Sequence, residues 1–359
     1  MFNGEREITS PVSLTLPNGR LNPEAVGFTR TQLHDTSGIG RGMTAWGRNK
    51  RWEYWLVTTP THLFSFTVSD VDYVSSHSVW VFEIGTGRSF AAAAIIPFAR
   101  GAVLPGSLGD GPAIGGSIGL DGRLLPPGPG RIGIHIDEVP GGTRLRTCGR
   151  ARRFPGIGAG FTEVRCDVVA ERPDGHEYLG VVVPWSETRF QYTVKDVARP
   201  ATGWIELDGL RFELPEGESW AILDHGRGRW PYSMWWNWGA ATGRAGGHHV
   251  GLQFGGRWTD GTGSRENAPV VDGRLFPVHE DLTWEYDDAD WLAPWRISSP
   301  SVDVVMEPFH DRAAVTDLGV LSMRVHQVFG HYSGWVRAGD ERIEIDGLLG
   351  FAEDVRNRW

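Results

Sequence analysis

Residues 63–68 (LFSFTV) and 78–84 (SVWVFEI) decide the fold class, because apolar and polar side chains alternate along both of them. Alternation with a period of two places one set of side chains on each face of an extended strand. The same alternation recurs at residues 131–137, 161–169 and 178–183. This succession of short strands separated by turn signals predicts an all-β protein with little helix.

The length of the chain, 359 residues, exceeds what one hydrophobic core usually organises, so two packed β-domains are expected. A break is predicted at residues 198–203 (ARPATG), after which a new set of strands begins. The predicted domains are therefore residues 1–199 and 200–359. Residues 101–130 are rich in Gly and Pro and predict a long irregular loop suited to act as a flap. Residues 351–359 predict one short terminal turn.

Charge and hydropathy disfavour several classes of protein. The net charge is -9 and no long basic run is present, which argues against a nucleic-acid surface. No run approaches the roughly 18 apolar residues of a membrane helix. The first residues (MFNGERE) are charged where a secretory signal needs an apolar core, so the cytoplasm is the expected location. Cys148 and Cys166 are accordingly expected to be reduced thiols.

Two residue counts stand out, 49 Gly and 17 Trp. Glycine at this density breaks long helices and supplies the positive-φ positions of hairpins. Tryptophan in such numbers predicts broad apolar walls around a core or a ligand cavity.

The most informative segment, residues 220–239 (WAILDHGRGRWPYSMWWNWG), combines an acid, an imidazole, two guanidinium groups and many large rings. In a strand, Trp236 and Trp238 share one face while Trp235 and Asn237 share the other. A carboxyl group beside indoles loses hydration, which raises its pKa and suits it to donate a proton. Asp224 is therefore the candidate acid. In the alternative interpretation, DHGRG is only a tight turn and the rings are core.

Two further segments hold candidate side chains. Glu266 and Asn267 precede an Asp272-Gly273 hairpin signal, and they either reach into a cavity or satisfy the loop backbone. His326 and Gln327 are adjacent in a predicted strand, so only one of them can line a given pocket. The histidines lack recognised metal-ligand spacing, and no phosphate-binding loop is present. Neither a metal nor a cofactor is expected.

Several motifs together resemble a bacterial family described as a domain of unknown function, DUF2804. They are DHGRGRWPY at 224–232, WNW at 236–238, EN at 266–267, RWEYW at 51–55 and FAED at 351–354. That family is similar, more distantly, to the carotenoid hydratase (hydroxyneurosporene synthase) and tocopherol cyclase group. The resemblance implies two packed lipocalin-like β-barrels, with Asp224 and His225 matching that group's Asp-His pair and Glu353 a terminal acidic position. Arg227 departs from the group, which carries an aromatic residue there.

Three functions remain open from the sequence. The first is an acid-catalysed hydratase, isomerase or cyclase acting on a hydrophobic, isoprenoid-like molecule. The second is a non-catalytic carrier or sensor of a lipid-like ligand, and the third is a carbohydrate-active or carbohydrate-binding protein. The candidate catalytic residues are Asp224, His225, Asn267 and Glu353. The candidate substrate-binding residues are Arg227, Arg229, Trp230, Tyr232, Trp236, Trp238, Glu266, His326 and Gln327.

Overall fold

A computed structural model describes residues 4–40, 42–117, 131–154, 160–317 and 319–359. Within these residues the protein is built from 25 strands and one 3₁₀ turn at Pro23–Ala25, which confirms the all-β prediction. The strands up to residue 186 are β1 Val12–Ser13, β2 Phe28–Thr29, β3 His34–Asp35, β4 Asn49–Thr58, β5 His62–Asp70, β6 Val74–Glu83, β7 Arg88–Pro97, β8 Ala102–Val103, β9 Ala113–Gly116, β10 Ile132–Val139, β11 Gly142–Phe154, β12 Phe161–Glu171 and β13 Leu179–Ser186. The others are β14 Arg189–Leu207, β15 Leu210–Glu213, β16 Trp220–Arg229, β17 Ser233–Ala245, β18 His248–Gly256, β19 Val270–Val271, β20 Arg274–Leu275, β21 Thr283–Glu285, β22 Trp295–Ser299, β23 Val302–Asp317, β24 Ser322–Ala338 and β25 Glu341–Arg358.

Eight strands of the first sheet close into an antiparallel barrel. They pair in the circular order β4, β5, β6, β7, β11, β12, β14 and β16, and β16 pairs with β4 again. The barrel lumen is packed with fully buried rings that include Trp55, Phe66, Phe190 and Tyr192. Since lumen-facing and outward-facing side chains alternate along each strand, every barrel strand also presents a second face to its surroundings.

The second sheet has nine antiparallel strands in the order β20-β19-β18-β17-β25-β24-β23-β22-β21. It curls around its own core, which includes Phe254, Trp295 and Tyr332. Trp284 lies on β21, an edge strand of this sheet, and its side chain contacts β18. The contact is close, because a Cβ atom added to Gly256 of β18 would lie 2.8 Å from the Trp284 indole nitrogen. The two antiparallel sheets match the predicted lipocalin-like architecture.

The convex face of the second sheet packs against the outside of the barrel. A separate apolar cluster forms between them, with Leu56, Val197 and Ile222 from the barrel meeting Trp238 and Phe351 from the second sheet. Strands β4, β14 and β16 of the barrel face β17 and β25 of the second sheet across this cluster. The outward side chains of these three barrel strands therefore line the space between the sheets.

The change from one sheet to the other falls between Arg229 and Ser233. Residues 198–203, the predicted break, lie inside the continuous strand β14, and β16 still belongs to the barrel. We propose that the domains divide at Trp230 rather than at residue 199. The prediction of a terminal turn at 351–359 is wrong, because these residues continue β25 to Arg358.

Of the predicted flap, residues 101–117 contain the short strands β8 and β9, and residues 118–130 lie outside the described part. Cys148 and Cys166 form no disulfide. In the described residues, no helix is long and apolar enough to cross a membrane.

Candidate active site between the two sheets

The DHGRG motif is a strand, not the tight turn of the alternative interpretation: it lies in β16, paired on both sides. Asp224, Gly226 and Gly228 face outward, toward the second sheet, and His225 and Arg227 face the lumen. The glycines are required by packing, since a Cβ on Gly226 would overlap the indole of Trp52. A flat strand surface therefore lets rings lie directly beside Asp224.

Asp224 is held by donors on its outward face. Its Oδ1 lies 2.9 Å from Lys195 Nζ and accepts a hydrogen bond of 3.2 Å from Thr193 Oγ1. Its Oδ2 accepts a hydrogen bond of 2.9 Å from Trp52 Nε1. Three donors therefore surround one nearly buried carboxyl group, and both of its oxygens have a partner.

Lys195 stands at the centre of the site. Besides Asp224, its ammonium lies 3.5 Å from Glu266 Oε1 and 3.9 Å from the centroid of the Trp238 indole. Burial acts to lower the pKa of Lys195, but the charges of Asp224 and Glu266 outweigh burial and the pKa is raised. The lysine is therefore a fixed positive charge among carboxyl groups and a π face.

Glu266 and Glu353 are the acids whose proton affinity is most altered. Burial raises the pKa of each to about 7, with the negative charge of Asp224 acting in the same direction. Lys195 opposes the shift at both residues. A carboxyl group with a pKa near 7 exists in both protonation states at neutral pH, as a general acid–base group must.

Each of these glutamates is oriented by an indole. Trp258 Nε1 donates to Glu266 Oε2 at 3.1 Å, and Trp236 Nε1 donates to Glu353 Oε1 at 2.9 Å. The other oxygen of Glu266 has no hydrogen-bond partner among the described residues. The Lys195 ammonium lies 3.5 Å from it, so this oxygen is held by charge rather than by a hydrogen bond.

A polar row extends from Glu353 across the second sheet. Gln327 Nε2 donates to Glu353 Oε2 and to Tyr54 Oη, each at 3.2 Å, and Arg312 Nη1 donates to Gln327 Oε1 at 3.3 Å. Trp238, Glu353, Gln327 and Arg312 are register partners on neighbouring strands. The donors to the Glu353 carboxyl group belong to the second sheet, and the barrel meets the row through Tyr54.

Tryptophans form one wall of the site. Trp230 is central, and five other indoles lie at ring-centroid distances of 5.2 to 5.7 Å from it. These five are Trp52, Trp185, Trp236, Trp258 and Trp359. Three members of this tryptophan cluster, Trp52, Trp236 and Trp258, donate to the three carboxyl groups described above. The wall is thus both apolar surface and the source of hydrogen bonds for the acids.

His225 lies inside the barrel. It is register partner of Glu53, and Glu53 Oε1 lies 3.4 Å from its Nδ1. Burial lowers the pKa of His225 to about 4, and its Nε2 has no hydrogen-bond partner among the described residues. Arg227 lies beside it, 3.4 Å from the same Glu53 oxygen. His225 and Arg227 are therefore separated from Asp224 by the barrel wall.

Four more predicted residues lie elsewhere. Arg229 is also on the lumen side and donates to Asn49 Oδ1 at 3.2 Å. Tyr232 is exposed and donates to the Val320 carbonyl. His326 faces the interior of the second sheet, where it pairs with Asp311 at 2.8 Å. Asn267 accepts a 2.8 Å hydrogen bond from the Gly255 backbone N–H.

The structure thus brings seven of the predicted residues together: Asp224, Trp230, Trp236, Trp238, Glu266, Gln327 and Glu353. Sequence reasoning missed Lys195, Trp52, Trp258 and Tyr54. One signal was available for Lys195, because only it and Lys50 are lysines among the 35 Lys and Arg residues. Both lysines are buried, as are arginines such as Arg227, so the rarity of lysine is a signal for Lys195 but not one that separates lysine from arginine inside this chain.

The family follows from a comparison of the whole chain. The model of the family described as a domain of unknown function, DUF2804, matches residues 5–359. The chain belongs to this family. The resemblance of the sequence motifs to DUF2804 is thereby confirmed. No curated protein matches the chain.

Solved structures with a similar chain path include a hydratase. Kievitone hydratase from Nectria haematococca is 9% identical, with a TM-score of 0.45, and the match covers 100% of this chain and 98% of that one. CghA in complex with Sch210972 is 10% identical, with a TM-score of 0.35, and the match covers 87% of this chain and 89% of that one.

Proposed function

We propose that this protein is a cofactor-independent acid–base enzyme of the hydratase, isomerase or cyclase type, acting on a largely apolar small molecule between its two sheets. The observation that carries the proposal is a pair of buried glutamates, Glu266 and Glu353, whose pKa values of about 7 allow both protonation states. Their surroundings are indole rings, which favour an apolar substrate.

The reaction begins with proton transfer from one glutamic acid, Glu266 or Glu353, to one carbon of a substrate double bond. The π bond breaks and leaves a cation on the other carbon, which indole faces such as that of Trp238 stabilise through their quadrupole. In a hydration, a water molecule adds to the cation and its surplus proton returns to a carboxylate. In an isomerisation, a carbon next to the cation loses a proton to the carboxylate and a new double bond forms. In a cyclisation, an internal hydroxyl group bonds to the cation and its proton returns to the carboxylate.

Asp224 and Lys195 have a supporting role in this proposal. Both oxygens of Asp224 are engaged by Lys195, Thr193 and Trp52, so we assign it a role different from that of the two glutamates. Its negative charge raises the pKa values of Glu266 and Glu353, and Lys195 lowers them. The pair therefore sets how strongly the glutamates hold their protons.

An untargeted mass comparison tests the function. Wild type, Glu266→Gln, Glu353→Gln and Glu344→Gln are each incubated with a bacterial organic extract; Glu344 is an exposed acid of β25 and serves as the matched control. A metabolite that gains one water, or changes retention at constant mass, with wild type and Glu344→Gln only would support the proposal. Unchanged turnover in both Glu266→Gln and Glu353→Gln would exclude it.

The same experiment addresses the carrier function, which the indole wall also fits. A carrier enriches its ligand chemically unchanged, and it does so in the glutamine variants as well as in wild type. Enrichment of one unchanged compound by all four proteins would therefore replace the enzyme proposal with that of a lipid-like ligand carrier. Selective binding of oligosaccharides would favour the carbohydrate function.

A further inference from the structure

Arginines meet on the concave face of the second sheet, on the far side of β17 and β25 from the candidate active site. Arg324 of β24 and Arg356 of β25 are direct register partners, and Arg358 lies two residues further along the same face. Trp235 is the register partner of Arg356 on the other side. Arg257, which follows β18, completes the group, called here the arginine cluster: Arg257, Arg324, Arg356 and Arg358.

Placing like charges directly opposite on neighbouring strands is unfavourable, because their Cβ atoms lie only about 5 Å apart. One carboxylate on this face offsets part of it, at Arg356 only. Asp354 pairs with Arg356 at 3.2 Å, but it is buried and its Oδ2 accepts from Trp235 Nε1 and Tyr286 Oη, each at 2.7 Å. Among the described residues, Arg257, Arg324 and Arg358 make no ion pair. Asp317 shares the face but is the register partner of Ser322, one strand beyond Arg358.

Arg257 adds a second, independent observation. Its backbone has a φ of 68°, a region that side-chain-bearing residues rarely adopt and that carries strain. This conformation places its guanidinium 3.7 Å from the centroid of Trp235, while Arg356 lies 4.4 Å from the same centroid. Arg257 Nε also donates to the buried Asn237 Oδ1 at 2.7 Å. The strained backbone thus fixes one more positive charge beside three that already repel.

A small cavity adjoins the cluster. Its volume is about 170 Å³, and its lining includes Asn237, Arg257 and Arg265, together with Asp260 and Asp281. Arg265 is paired with Asp281 at 3.0 Å, whereas the guanidinium of Arg257 has no carboxylate partner among the described residues. The side chains of the cluster are exposed, so a solute reaches them from this side.

We propose that the arginine cluster is a binding site for a small multiply charged oxyanion of the phosphate type. Planar guanidinium groups match phosphoryl oxygens by paired hydrogen bonds, and several of them converging on one face suit a ligand with two or more negative charges. Such a ligand removes the repulsion between Arg324 and Arg356. The site is separate from the glutamates of the proposed function and does not depend on them.

Inorganic pyrophosphate is the probe. Its binding to wild type is measured by titration calorimetry, and thermal unfolding is followed with pyrophosphate and with sodium chloride at matched ionic strength. Binding is expected to weaken about tenfold in Arg324→Gln and further in the Arg324→Gln/Arg358→Gln double variant, as the loss of a charge-assisted contact implies. Arg165→Gln, an exposed arginine on β12 of the barrel, is the matched control and keeps wild-type binding.

Thermal unfolding adds a readout that a purely structural cluster would not produce. Without pyrophosphate, Arg324→Gln is expected to unfold at or above the wild-type temperature, because a repulsive charge is gone. With pyrophosphate, wild type is expected to unfold at a higher temperature than Arg324→Gln. The proposal would be overturned if pyrophosphate raised the unfolding temperature of wild type no more than sodium chloride does. Equal pyrophosphate binding by wild type and the double variant would also overturn it. Equally tight binding of citrate would overturn the phosphate-type assignment.

Discussion

Asp224 and His225 are adjacent in the chain and lie on opposite faces of the barrel wall. Asp224 Oδ1 is 2.9 Å from Lys195 Nζ on the outer side, whereas His225 Nδ1 is 3.4 Å from Glu53 Oε1 in the lumen. The two side chains therefore cannot act on one proton. Their substitution is expected to have separable effects.

Asp224→Asn is expected to change the pH dependence of turnover. Because the charge of Asp224 raises the pKa values of Glu266 and Glu353, its removal lowers both. The protonated acid is then lost at lower pH, so the alkaline limb of the pH–rate profile moves toward acid. His225→Gln, in contrast, is expected to leave this profile in place. A shift of the same size in both variants would contradict the separation.

His225→Gln is expected to act on acid stability instead. Burial lowers the pKa of His225 to about 4 from its ordinary 6.5, so the unfolded chain binds a proton that the folded protein does not. This contribution to stability is present above pH 6.5 and is lost as the pH falls toward 4. The variant lacks it, so its free energy of unfolding should fall less steeply than that of wild type over this range. Urea unfolding at several pH values, with Asp224→Asn as the comparison, measures the difference.

Much of the fold could be predicted from the sequence, because period-two alternation is a local property. The course of β14 could not, since this strand continues through residues 198–203, with a bulge between Asp196 and Arg199 where it pairs with β16. In the site, strand alternation correctly placed Trp236 and Trp238 together. It also separates His225 from Asp224 once DHGRG is known to be a strand. Lys195 was missed because its partners are distant in sequence: strand pairing in the barrel makes Asp224 its register partner, and the packing of the second sheet brings Glu266 to it.

Lys195→Met is expected to destabilise the protein strongly. The substitution leaves Asp224 and Glu266 buried without their cation, and breaking a buried ion pair costs about 3–5 kcal/mol of the free energy of unfolding. The Lys195→Met/Asp224→Asn double variant removes both charges of the closest pair. Its free energy of unfolding should therefore fall by much less than the sum of the decreases in the two single variants. Urea unfolding of the four proteins forms a double-mutant cycle. Simple additivity would show that the 2.9 Å contact contributes no coupling.

Glu266→Gln is expected to change how stability depends on pH. The folded protein holds a proton at Glu266 up to about pH 7, whereas the ordinary pKa is 4.5. The stability that comes from this proton is fully present below pH 4.5 and is lost as the pH rises through 7. The wild-type advantage over Glu266→Gln should therefore shrink from pH 5 to pH 7 by up to about 1.4 kcal/mol per pH unit. Parallel curves for the two proteins over this range would mean that Glu266 is already ionised at pH 5.

The hydrogen bond from Trp236 to Glu353 gives the sharpest test of the acid assignment. Trp236 Nε1 donates to Glu353 Oε1 at 2.9 Å and thereby lowers the pKa of a carboxyl group that burial raises to about 7. Trp236→Phe keeps a ring but removes the donor, so the pKa of Glu353 should rise further and the alkaline limb of the pH–rate profile should move to higher pH. Trp359→Phe is the matched control, because Trp359 belongs to the same tryptophan cluster and its indole nitrogen has no hydrogen-bond partner among the described residues. Opposite shifts in Trp236→Phe and Asp224→Asn, with none in Trp359→Phe, would identify Glu353 as the titrating acid. A profile that Trp236→Phe leaves unmoved would assign the proton to Glu266 instead.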